Sequence, residues 1–104
     1  MTSRKTWIIS LPAQLKEEVR VYGIRHGLKI WETVEKAIEA YFDTLDSKGA
    51  VEPALLDMQD IEDWSIQIER EKYKKLKLLC VENDLSVYNL INTALYRLVF
   101  QDHN

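Results

Sequence analysis

Six residues near the start, Trp7-Ile8-Ile9-Ser10-Leu11-Pro12, place a large apolar side chain at every second position. Trp64-Ser65-Ile66-Gln67-Ile68-Glu69 repeats the pattern 57 positions later. A period of two is that of a half-buried β-strand. Trp7, Ile9 and Leu11 then share one face, as do Trp64, Ile66 and Ile68, and both rows are expected in the core. Thr6, Ile8 and Ser10 face the other way, as do Asp63, Ser65 and Gln67. Each strand is followed by two helical patterns and no further strand. A lone strand leaves its backbone groups unpaired, so each copy needs a partner, and the nearest candidate is the other copy. Antiparallel pairing with Ile8 opposite Ser65 sets Trp7 against Ile66 and Ile9 against Trp64, with paired numbers that sum to 73. That register makes both inward rows apolar, whereas a slip of one residue would set Trp or Ile against polar partners.

The repetition extends beyond the strands. Shifting the chain by 57 makes apolar residues coincide at 15 of 36 positions between Trp7–Phe42 and Trp64–Val99. Random placement at this composition would give roughly 8, so the internal repeat is real. In the first unit Pro12 ends the strand and suits the first turn of a helix. Leu15, Val19 and Tyr22 follow at helical spacing, and Gly27 supplies the left-handed conformation that closes a helix. A second helix carries Ile30, Val34, Ala37, Ile38, Tyr41, Phe42 and Leu45 as a core-facing stripe. In the second unit the first helix has Tyr73, Leu76, Leu79 and Cys80. Asn83-Asp84 replaces the glycine break, and Ser86 is a good N-cap for a last helix bearing Val87, Leu90, Ile91, Ala94, Leu95, Leu98 and Val99. The expected fold is mainly α with a short β-ribbon: one β-α-α unit over 1–45, an acidic linker over 46–63, and a second unit over 64–104.

The formal net charge is −3, which argues against a simple basic nucleic-acid binder. The charge is unevenly placed, however. Residues 46–63 hold six acids and one Lys, while 1–45 hold seven Lys/Arg against six acids and 64–104 hold six against five. Within the linker, Pro53-Ala54-Leu55-Leu56-Asp57-Met58 could start a helical turn, with Leu55, Met58 and Ile61 packing on a surface. Its roughly 18 residues reach up to ~60 Å when extended, ample for the second strand to return beside the first.

Strand, helix, Gly-or-Asn turn, helix, in about 40 residues, resembles the ribbon–helix–helix (Arc/MetJ-like) family of DNA-binding proteins. The first copy carries the likeness in Ile9-Ser10-Leu11-Pro12, Leu15, Val19, Tyr22, Gly27, Val34, Ala37 and Ile38. The second carries it in Ile66-Gln67-Ile68, Tyr73, Leu76, Leu79, Asn83, Ser86, Ile91, Ala94 and Leu95. Two copies in one chain are similar to the tandem transcriptional regulators encoded by filamentous archaeal viruses. The resemblance implies a tandem protein whose two units pair as an intramolecular pseudo-dimer, with the antiparallel ribbon entering the major groove of double-stranded DNA. That groove admits a two-stranded ribbon and displays a distinct donor/acceptor code. By position the base readers would be Thr6, Ile8, Ser10, Ser65 and Gln67. The family also seats phosphates on the N-termini of its second helices, here near Lys29-Ile30 and Ser86-Val87, with Arg4 and Lys5 beside the strand. The readers depart from the usual set, for Gln67 is the one long polar side chain among them, and Asp63 would point at an electronegative groove.

Other chemistry is not expected. His26 and His103 have no second ligand or nucleophile at useful spacing, and Cys80, the single cysteine, reads as a small buried residue. No Gly-rich phosphate loop, paired carboxylates or Ser/His/Asp set can be assembled, so neither an enzyme nor a cofactor is expected. No run approaches the ~20 apolar residues of a membrane span, and no signal peptide is present, which makes the cytoplasm (the host's, for a viral protein) the default. Trp31 and Tyr88 read as packing residues rather than phosphate flanks, and Lys72, Lys74, Lys75 and Lys77 as a solvated helix face. The alternative function is a protein-binding ribbon–helix–helix module, antitoxin-like or adaptor, with the acidic linker as the candidate contact. Self-association on DNA stays open.

Overall fold

A computed structural model describes residues 4–48 and 60–101. In chain order the elements are β1 (Arg4–Pro12), α1 (Ala13–Arg25), α2 (Ile30–Lys48), β2 (Ile61–Glu69), α3 (Arg70–Asn83) and α4 (Val87–Tyr96), closed by a π-helical turn at Arg97–Gln101. The protein is mainly helical with one two-stranded antiparallel sheet. Both strands begin, and all four helices begin, at positions that match after a shift of 57 residues.

The register is the one in which paired numbers sum to 73: Arg4 faces Glu69, Trp7 faces Ile66, Ile8 faces Ser65, Ser10 faces Asp63 and Pro12 faces Ile61. Alternation then decides burial. Ile9, Leu11, Ile66 and Ile68 are buried, whereas Ile8, Ser65 and Gln67 face outward. The helices cover the inner face with Leu15 and Val19, Val34, Ile38 and Tyr41, Leu76 and Cys80, and Leu90, Ile91 and Leu95. Trp7 and Trp64 depart from the expectation, for both are only half-buried and lie at the rim of this core. Trp7 stacks on Tyr73 with ring centroids 3.6 Å apart and planes 6° from parallel. Trp64 has the Lys16 ammonium 5.8 Å from its ring centre. Positions 16 and 73 are themselves 57 apart, so the two indoles occupy matching sites with different covers.

The helix ends follow the sequence signals with three shifts. Pro12 sits one residue earlier than a first-turn proline, as the extended residue before Ala13. Gly27, with φ of 66°, closes α1, and the Leu28 N–H donates to the Gly23 carbonyl at 2.8 Å. In the second unit the left-handed residue is Asp84 (φ 55°), not Asn83, whose side-chain amide donates to the Leu79 carbonyl. A short polar side chain tolerates that conformation, and Asp84 stands at the position matching Gly27. Two element ends also differ from those the patterns suggest: α2 runs to Lys48, and β2 begins at Ile61 rather than beside Trp64. Ile61 therefore belongs to the strand and not to a linker turn. Pairing to Leu11 and Pro12 extends the ribbon through Glu62 and Ile61, and it overrides the poor strand propensity of an acidic stretch. The helical turn expected at Pro53–Met58 lies outside the described residues.

Two helix crossings differ between the units. At Gly23 an added Cβ would lie 2.8 Å from Thr33 Oγ1 and 3.2 Å from the Leu28 carbonyl, so α1 and α2 approach as closely as they do because position 23 has no side chain. The matching positions in the second unit are Cys80 and Leu90, both buried. Burial pushes the Cys80 thiol above its ordinary value.

Candidate nucleic-acid interface

The outward row of the ribbon is built by the strand alternation alone. Thr6, Ser65 and Gln67 are exposed, and Ile8, at the centre opposite Ser65, is 62% exposed. Ser10 is half-buried, and its hydroxyl donates to Asp63 Oδ1 at 2.9 Å across the ribbon. The Ser10 carbonyl in turn accepts from the Asn92 side-chain amide at 3.0 Å, which ties this end of β1 to α4. Four of the five expected base readers thus present free faces, while the fifth is engaged with Asp63.

The cations expected at phosphates are placed unequally. The Arg4 guanidinium lies 3.6 Å from the centre of the Trp31 ring, near the start of α2. It therefore joins the ribbon end to the helix N-terminus that carries Lys29 and Ile30. Lys5 stands on the inward row of β1, and its ammonium folds to 4.9 Å from the Trp7 ring. Both arrangements are cation–π contacts, worth about 0.5–1 kcal/mol at exposed sites. Lys29 is exposed and its backbone N–H donates to Glu32 Oε1 at 2.8 Å. One donor at the α2 terminus is therefore already occupied by a carboxylate, whose charge opposes an incoming anion. At the start of α4 the Ser86 hydroxyl accepts from the Asn89 N–H at 3.1 Å, a neutral cap that leaves the terminus uncharged. Val87 and Ile30 are half-buried and contribute only backbone. The residues matching Arg4 and Trp31 are Ile61 and Tyr88, which are 43% and 52% exposed and carry no cation.

Sequence reasoning missed one participant. Trp31 holds Arg4, a contact between a strand and a helix that no local pattern announces. The partner of Ser10 was legible, because the register with paired numbers summing to 73 sets Asp63 opposite it. The lysines of α3 also divide. Lys74 and Lys77 are exposed, Lys75 lies 4.2 Å from the Phe42 ring centre, and Lys72 bridges to Glu39 at 2.7 Å and Glu35 at 3.4 Å on α2. Burial pulls the Lys72 ammonium down, but the two carboxylates outweigh it and leave its pKa above the ordinary 10.5.

Among the described residues no group of His, Cys, Asp and Glu could hold a metal ion, and no helix is long and apolar enough to cross a membrane. Comparison with protein-family models, with curated proteins and with solved structures finds no match for this chain.

Proposed function

We propose that this chain is a sequence-specific double-stranded DNA-binding transcriptional regulator of the ribbon–helix–helix type. Its two β-α-α units act as a pseudo-dimer within one chain and insert the ribbon into the major groove. The observation that carries this reading is the exposed outer row of a two-stranded antiparallel sheet, Thr6, Ile8, Ser65 and Gln67, on the face opposite the buried core row. Such a ribbon fits the groove, and its side chains suit base edges: a Gln amide can bridge adenine N6 and N7, and Ile8 can meet a thymine methyl. Arg4 on Trp31, with Lys29 nearby on the same helix start, supplies a phosphate contact at one end, and the Ser86-Val87 terminus supplies the other. No cofactor enters this reading, and the protein acts in the cytoplasm, the host's if it is viral.

Selection of bound sequences from random duplexes tests the proposal. The expected result is a short preferred core that is an imperfect palindrome, because the two strands present different readers. Gln67→Ala should relax preference on one side alone, by about 1–3 kcal/mol of discrimination. Lys29→Glu should weaken all duplexes about equally and flatten the salt dependence. The alternative of a protein-binding module draws on a separate observation: Ile24, Leu78 and Val81 on the first helices of the two units are 79%, 59% and 75% exposed. Purification with a protein partner and without duplex affinity would favour it.

A further inference from the structure

The outer row of the ribbon has two chemically opposite ends. At one, Thr6 faces Gln67 and Arg4 faces Glu69; at the other, Ser10 faces Asp63. Gln67 brings N–H donors beside an acceptor, whereas an ionised carboxylate brings acceptors alone. The Ser10 hydroxyl gives its one hydrogen to Asp63 Oδ1 at 2.9 Å, so the pair presents only lone pairs outward. The ammonium of Lys16, at this same end, is engaged by Glu62 at 3.3 Å. A carboxylate that enters a groove walled by phosphates is repelled unless it meets a donor there.

Resting on the DNA reading above, we propose that Asp63, oriented by Ser10, recognises a cytosine amino group at one end of the binding site. The donors that the major groove offers are cytosine N4 and adenine N6. The adenine amino group stands between two acceptors, its own N7 and the O4 of the paired thymine. The cytosine amino group has an acceptor on one side only, the O6 of its guanine, and a C–H edge on the other. An acceptor-only pair is therefore repelled less at cytosine, and Asp is suited to that amino group. Thr6 and Ser10 are four residues apart on β1, about 13 Å along the strand, which is the rise of roughly four base pairs. The site thus acquires a direction: an adenine-reading end at Gln67 and a cytosine-reading end at Asp63.

Selections with the full chain, as wild type, Asp63→Asn, Asp63→Ala and Ser10→Ala, test this. The wild type should select cytosine at one position roughly four base pairs from the position that answers to Gln67→Ala. Asp63→Ala should lower that preference by roughly tenfold or more, and Ser10→Ala should weaken it without changing the base. Asp63→Asn, which keeps an acceptor for Ser10, should turn the preference towards adenine, because an amide bridges N6 and N7. If Asp63→Ala instead strengthens binding to every duplex alike and leaves the preferred sequence unchanged, Asp63 is only a repelling charge and the assignment fails. A wild type that prefers no duplex sequence overturns the DNA reading itself, and this assignment with it.

Discussion

The two units share a backbone plan and differ where they touch each other. Lys72 on α3 reaches across to Glu35 and Glu39 on α2, while the residue 57 positions before it is Leu15, 3% exposed in the core. The residues matching Glu35 and Glu39 are Asn92 and Tyr96; Asn92 is buried and its amide donates to the Ser10 carbonyl. One cross-unit contact is therefore an ion pair over an aliphatic stem, and its counterpart is apolar with a single amide bond. A ribbon made of two identical first strands would set Leu15 against Glu35 and Glu39, leaving the half-buried Glu35 carboxylate without its cation. A ribbon of two second strands would set Lys72 against Asn92 and Tyr96, stranding an ammonium. The difference teaches that the two halves are not interchangeable at this contact, since each presents a different set of partners to the other.

The largest test of the comparison asks whether the halves are separable. Ile9 and Ile66 are matching core residues, each 1% exposed and each on the sheet that both units build. Truncation of either to Ala should cost about 3–4 kcal/mol, the transfer term plus the cavity. The two variants should be destabilised alike and should unfold in one transition, because every helix packs on the shared sheet. Amide exchange read residue by residue decides it. Faster exchange confined to the mutated unit would show that the halves unfold independently.

The next effect should separate matching positions that are not alike. Gly23→Ala forces a methyl to 2.8 Å from Thr33 Oγ1 with a backbone carbonyl at 3.2 Å, so the α1–α2 crossing must open. We expect a loss of about 1–3 kcal/mol, as for overpacking elsewhere. Cys80→Ala, on the matching site, removes one sulfur from a packed position and should cost about 1 kcal/mol. Chemical denaturation of the two variants reads both values. A Gly23→Ala variant as stable as wild type would mean that the crossing is looser than its geometry.

Lys72→Leu copies the first unit's residue into the second and should cost about 1 kcal/mol, since one carboxylate partner is largely exposed and the gain is solvent-screened. Adding Glu35→Asn should recover part of it. The alkaline limb of stability sharpens the same point. A cation whose folded pKa is raised contributes stability that is complete below its unfolded value near 10.5 and is lost as pH climbs through the folded value. Burial also raises the acids Tyr41, Tyr73 and Cys80 from ordinary values of 10.0, 10.0 and 9.0, so the unfolded chain releases those protons first. All four shifts lower stability above about pH 9, and none acts on the acid side. Melting temperature followed from pH 7 to 11 should fall, and less steeply at its upper end in Lys72→Leu. A flat alkaline profile would contradict the burial of these groups.

How much of this was legible in the residues follows from which forces were local. The register could be read by setting Ile8 opposite its repeat equivalent Ser65, since a slip of one residue would turn the apolar rows to the outer face. Gly27 and Ser86 could be read because a left-handed stop and an N-cap are one-residue signals. The start of β2 could not, since Glu62 and Asp63 look unlike a strand and are extended only by their partners on β1. Nor could the half-burial of Trp7 and Trp64, because the rim of a core depends on which helices lie above it. Of the interface, the outward row was legible from alternation. The seating of Arg4 on Trp31 and the Lys72 bridges were not, because each joins residues whose separation along the chain carries no period.

The smallest expected effect bears on the unequal ends of the second helices. The first unit has Arg4 held 3.6 Å over Trp31, whereas the second has Ile61 and Tyr88 at the matching positions, with no cation. On the DNA reading the first end is anchored to a phosphate by charge and the second only by the neutral cap at Ser86. Ile61→Arg should then supply the missing contact, because the backbone at position 61 pairs with Pro12 and is already extended. An aromatic ring at 88 gives the new guanidinium a surface like the one that Trp31 offers Arg4. One added phosphate contact should steepen the dependence of log K on log salt by about 0.9 and raise affinity for all duplexes without altering the preferred sequence. Arg4→Ala should do the reverse by a similar amount. Binding isotherms at a series of salt concentrations measure both. If Ile61→Arg leaves the slope unchanged while Arg4→Ala lowers it, the second helix terminus stands away from the backbone and the protein is anchored at one end only. If neither variant moves the slope, Arg4 serves only to pack Trp31, and the cations of this ribbon are structural.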